Sequence, residues 1–193
     1  IPLSGLYMTY RYRHPEYIMP FTATRLFQAF KKLGPSIDEK VAGKNILSSF
    51  EKNVQHHPHQ PALFSRRNKN YTSWKAIDWN SYHKQAHMVA SGLLHLGAKK
   101  NDITLIVSRN RAEHNIADIG ILYSGCTPSS LYPTLKAPQI AKIASLTQSS
   151  IVFVDNEEIL NEVLQASKHL SHIKHIVTFE NIKKSRDKRI LSW

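Results

Sequence analysis

Three short apolar runs constrain this chain more than any other feature: ITLIV at 103–107, IVFV at 151–154 and HIVTF at 175–179. A strand with one wet face alternates apolar and polar residues, whereas a near-continuous run is buried on both faces. Between the runs the period changes to helical, over 111–124, from about Ala137 to Leu146, and over Glu157–Lys168. A further short strand fits Thr127–Leu131. Strands alternating with helices predict parallel βαβ units in a layered α/β domain, joined by right-handed crossovers. Strands 103–107, 151–154 and 175–179 are therefore expected in one parallel sheet. Leu105, Val107, Ile121, Val152 and Val154 should be almost fully buried, with Ile116, Gly120 and Tyr123 also facing inward.

Upstream, Ile46, Leu47, Phe50 and Val54 share one helical face, and Pro58 and Pro61 in HHPHQP stop that helix. ALFSRR and YTSW, separated by NKN at 68–70, read as a β-hairpin with Asn in the turn. Asp78 then suits the N-cap of a long helix. Trp79, Tyr82, Ala86, Val89, Ala90 and Leu93 make its apolar stripe, and Gly97 falls where a left-handed C′ residue is wanted. The organisation expected is a leader of unassigned structure (1–44), an α/β domain (45–180) and a basic tail (181–193).

The net charge of +12 invites a nucleic-acid reading, but its distribution weakens it. Residues 1–44 carry seven basic and three acidic side chains, and residues 180–193 carry five and two. Charge is thus densest at the two ends, where solvated tails account for it, so nucleic acid is not the expected partner. No stretch of about 18 apolar residues is present, so no spanning helix is expected. The opening IPLSGLYMTYRYRHPEY is charged early, unlike a cleavable signal, and it lacks an initiator Met, as a processed chain or a fragment would. A lone cysteine, Cys126, excludes an intrachain disulfide and agrees with a reducing cytosol.

Residues able to carry chemistry are few. None of the seven glycines forms a G-x-G-x-x-G or Walker loop, and AGKN at 42–45 lacks the upstream glycine a phosphate loop needs. His83 and His87 have the i, i+4 spacing of a zinc helix, but Lys84 stands where a zinc protease carries its Glu base. They border the apolar stripe and read as surface histidines. His56, His57 and His59 lie in a proline-stopped loop without a companion ligand. His169, His172 and His175 straddle a helix end and a strand start, so their side chains should diverge. Cys126 reads as a small packing residue, and Asp155, Glu157 and Glu158 as acids favoured at a helix N-terminus. No catalytic, cofactor-binding or metal-ligating residue is assigned.

The segment NRAEHNIADIGILYSGCTPSSLYPTLKAPQIAKI resembles the N-terminal portion of adenylate-forming enzymes, in particular long-chain fatty acyl-CoA synthetases. The residues that carry the resemblance are Asn110-Arg111 with Glu113, Ala117-Asp118-Ile119-Gly120-Ile121, Gly125, Pro128 and Tyr132-Pro133-Thr134. The stretches PALF to VSRN and SSIVFVDNEEILNEVL are similar to the family's preceding and following elements, so the likeness runs from Asn45 to Phe179. There are departures. Lys100-Asn101-Asp102 stands for the family's Pro-Gly-Asp. Lys136-Ala137-Pro138 stands for its Thr-Pro-Glu and loses a capping hydroxyl.

The resemblance implies a cytoplasmic enzyme, working at a membrane surface, that activates a long-chain fatty acid with ATP and Mg²⁺ to an acyl-adenylate and passes it to CoA. The family's Ser/Thr/Gly-rich phosphate loop, adenine-contacting motifs and C-terminal lysine-bearing domain are not in these 193 residues. The sequence is therefore expected to be a truncated, inactive part of the large domain. Such a part should leave a strand edge exposed at 175–179 and be poorly soluble or partly unfolded in isolation. The alternative reading is a non-enzymatic α/β binding or interaction module with basic tails.

Overall fold

A computed structural model describes residues 43–66, 74–182 and 187–193. The chain divides into two compact units, Ile1–Ile46 and Leu47–Trp193, and the second contains all of the sheet structure described here. The leader at 1–44, apart from Gly43 and Lys44, and the expected NKN turn lie outside the described residues.

Helix α1 (Ile46–His56) precedes a hairpin of β1 (Pro61–Arg66) and β2 (Trp74–Asp78), which pair antiparallel. Helix α2 (Trp79–His95) starts where expected: Asp78 is its N-cap and accepts from Ser81 N–H at 2.6 Å. It ends in a Schellman motif. Gly97, at φ +86°, donates to Leu94 O and Ala98 donates to Leu93 O.

Next come β3 (Ile103–Val107), α3 (Ala112–Tyr123), β4 (Thr127–Leu131), α4 (Ala137–Thr147), β5 (Ile151–Val154), α5 (Glu157–Ala166) and β6 (His175–Thr178). A single 3₁₀ turn, Ser167–His169, takes up the end of the helix expected to run to Lys168. The five-stranded sheet has the order β4-β3-β5-β6-β7, and every neighbouring pair is parallel. Pro128 lies in β4, at the sheet edge, where a missing N–H costs no ladder bond.

Strand β7 (Ile190–Ser192) corrects two expectations. Within the expected basic tail at 181–193, residues 190–192 form a strand, and β6 is not an exposed edge. Ile190, Leu191 and Ser192 pair with Ile176, Val177 and Thr178. The cause is a short apolar run that closes on an aromatic anchor. Trp193 packs edge-to-face against Phe179, with ring centroids 5.0 Å apart.

The period-two geometry of the strands divides the core. Leu105, Val107, Val152, Val154 and Ile176 face α4 and α5, meeting Ile140, Ala144, Leu160 and Val163. Ile106, Ile151, Phe153 and Val177 face the other way, toward Leu93, Ala117 and Ile121 of α2 and α3. Leu105, Val107, Ile121, Val152 and Val154 are all fully buried, as expected. A third cluster joins the hairpin and α1 to the outer side of α2 and α3, around Phe50, Tyr82, Ala86, Ile116 and Ile119.

Candidate functional site

In open α/β sheets ligands bind beyond the carboxyl ends of the strands. Here that edge is formed by Ser108–Arg111 after β3, Tyr132–Lys136 after β4, Asp155–Asn156 after β5 and Phe179–Glu180 after β6. Its centre is Asp155, only 1% exposed. Arg109 Nε donates to Oδ2 at 2.6 Å and Arg111 Nη1 to Oδ1 at 2.5 Å, while Arg109 N–H adds a third bond at 3.1 Å. Arg111 also donates to Glu113 at 2.8 Å, and its guanidinium lies 5.5 Å from the Phe179 ring centroid. One side chain thus ties together the ends of β3, β5 and β6.

Burial pushes the Asp155 carboxyl up, but the hydrogen bonds and charges of the two arginines outweigh it and hold it below the usual carboxylate range. Both its oxygens are committed, so Asp155 is a structural acceptor and not a free base. The macrodipole role expected for it is secondary; Asn156 caps α5, accepting from Ile159 N–H at 3.0 Å. Glu157 and Glu158 are exposed in the first turn. Arg109, with its side chain 62% exposed, and Lys136, at 65%, are cations that this edge presents to solvent. His114 Nε2 lies 3.0 Å from Ser130 Oγ, and its Nδ1 is buried without a hydrogen-bond partner among the described residues.

A triphosphate cradle needs successive backbone N–H groups, with glycines where the chain turns close to the phosphates. The edge loops, at 108–111, 132–136, 155–156 and 179–180, contain no glycine. Gly97 and Gly125, both at positive φ, close the C-termini of α2 and α3, where the orphan groups are carbonyls. Among the described residues, the carboxyl edge holds no glycine-lined loop of the kind such a cradle uses.

Cys126 is buried, its thiol 3.3 Å from Lys99 O, as a packing residue would be. His56 bonds Lys52 O, and His172 bonds Ala144 O. His83 and His87 are adjacent, but not alone: Glu51 of α1 joins them. Neither Glu51 nor the link from Arg109 and Arg111 to Asp155 had a local signal, since the partners lie 32 to 46 residues apart.

The described residues thus form a parallel sheet covered by helices on both faces, with an arginine–aspartate ion-pair cluster at its carboxyl edge. The AMP-binding enzyme profile matches residues 50–191, and the chain belongs to that family. It is 26% identical over 148 residues to the long-chain-fatty-acid–CoA ligase ACSBG2 of Xenopus laevis, covering 77% of this chain and 20% of that protein. Against the ACSBG1 ligase of Bos taurus it is 27% identical over 111 residues, covering 58% and 15%. The coronafacic acid ligase of Pectobacterium brasiliense shares the fold at a TM-score of 0.66 and 19% identity, over 76% of this chain and 28% of that one. The chain thus spans about a fifth of the length of the first of these relatives.

Proposed function

We propose that this domain serves an ATP- and Mg²⁺-dependent ligase that activates a long-chain fatty acid as its acyl-adenylate and transfers it to CoA. The observation that carries the proposal is the family match over 50–191, together with relatives named as long-chain-fatty-acid–CoA ligases. Within such an enzyme the described residues act as scaffold. Arg111 and Asp155 fix the carboxyl edge of the sheet, and catalysis falls to groups outside these 193 residues. The working location is the cytoplasmic side of a membrane, where long-chain fatty acids partition. No helix among the described residues is long and apolar enough to cross a bilayer.

The experiment has two arms. The transcript is read past Trp193, and the protein it encodes is assayed for pyrophosphate release and palmitoyl-CoA formation with ATP, Mg²⁺, palmitate and CoA. A Ser/Thr/Gly-rich loop closed by Lys, with turnover, supports the proposal. A reading frame without such a loop favours a non-enzymatic α/β module. The 193-residue chain in the same assay is expected to match a no-protein control, and turnover above it would contradict the scaffold role.

A further inference from the structure

We propose that Glu51, His83 and His87 form a binding site for a divalent transition-metal ion of the zinc class, joining α1 to α2. One donor atom from each of the three lies within 4.8 Å of the other two. His83 Nε2 is 3.2 Å from Glu51 Oε1 and 3.0 Å from His87 Nε2. Tetrahedral zinc, with bonds of roughly 2.0–2.1 Å to nitrogen, separates its ligand atoms by about 3.3 Å. The two close spacings therefore suit a shared ion with small adjustments.

Hydrogen bonding alone serves this cluster poorly. A neutral imidazole Nε2 carries either one proton or one lone pair. As a donor, His83 must share one proton between Glu51 and His87. As an acceptor from His87, it turns a lone pair toward a carboxylate. A cation draws all three lone pairs at once.

The surroundings hold the donors in place. The Tyr123 hydroxyl donates to Glu51 Oε1, orienting the carboxylate from α3. The His83 ring stacks on Phe50, and the His87 ring lies 4.2 Å from that of Tyr123. His87 is exposed, leaving a fourth position open to water. Two imidazoles and one carboxylate select Zn²⁺, Co²⁺, Ni²⁺ or Cu²⁺ over Mg²⁺. The site is thus distinct from the Mg²⁺ requirement of the ligase proposal and does not depend on it.

The test titrates the tag-free, demetallated 193-residue chain with Zn²⁺ against a chromophoric chelator. One equivalent is expected to bind and to resist displacement by excess Mg²⁺. His87→Ala, at an exposed position that leaves the fold intact, and Glu51→Gln should each weaken binding at least tenfold. Tyr123→Phe should weaken it about 10- to 100-fold, as loss of an outer-shell partner does. His57→Ala/His59→Ala should leave it unchanged. Absence of saturable binding, full affinity in His87→Ala, displacement by Mg²⁺, or loss confined to the His57/His59 variant would each overturn the proposal.

Discussion

Gly120 of α3 lies against Val89 of α2 so closely that a Cβ built on Gly120 would stand 2.5 Å from Val89 Cβ and 2.8 Å from Ala86 O. The two helices meet with no room for a methyl group. Gly120→Ala is expected to destabilise the domain by about 1–3 kcal/mol through overpacking. Gly92→Ala, also helical but with nothing within 4 Å, should stabilise by roughly 0.5–1 kcal/mol through propensity alone. Urea unfolding of the two variants checks the contrast, and equal effects would contradict the close approach.

Asn101 takes a left-handed conformation, at φ +71°, before β3. The turn is held by Asn101 N–H donating to Gly125 O at 2.9 Å. Asparagine tolerates this region better than most residues, but glycine adopts it without a Cβ penalty. Asn101→Gly should raise stability by a few tenths to about 1 kcal/mol, and Asn101→Val should lower it by about 1–2 kcal/mol. Thermal unfolding of both variants measures this.

Replacing Asp155 by Asn leaves Arg111 short of its principal acceptor and should cost about 2–3 kcal/mol near neutral pH. The folded carboxyl titrates below its unfolded value, so its contribution is fully present above the ordinary carboxylate range. It is lost as pH falls through the depressed folded value. The stability difference between wild type and Asp155→Asn should therefore be flat between about pH 6 and 8 and shrink below about pH 4. A gap that widened in acid would show that Asp155 is not held as an anion.

The excess of basic residues should draw the chain weakly to anionic lipid, at roughly 1 kcal/mol for each well-placed Lys or Arg. Cosedimentation with phosphatidylserine vesicles is expected at low salt and should fall as salt screens the attraction. Sedimentation indifferent to salt would contradict this mechanism.

The β3, β5 and β6 strands were legible because burial on both faces leaves an apolar run that no amphipathic helix imitates at that length. Asp78 and Gly97 were equally legible, since a helix end recruits its partners within a few residues. Strand β7 was not. Three residues behind a basic stretch carry little periodic signal, and their place was decided by the edge of β6 and the Phe179 ring. The Glu51–His83–His87 cluster was half legible: the histidine spacing is local, but the carboxylate comes from another helix.

The start of α4 separates the two kinds of information. Lys136 stands where the family has a capping hydroxyl, and from sequence this helix loses its cap. In the structure Gln139 Oε1 accepts from Lys136 N–H at 3.0 Å, while Glu162 of α5 accepts from Ala137 N–H at 2.8 Å and pairs with Lys136 Nζ at 3.0 Å. The carboxylate that completes this cap lies 25 residues downstream. Sequence by itself determined most elements of this domain, β7 excepted, because strand burial, helix stripes and most caps are set by neighbours along the chain. Only the tertiary structure decided which distant side chains meet the backbone and ionic groups those elements leave open, because those partners are brought within reach by packing and not by spacing.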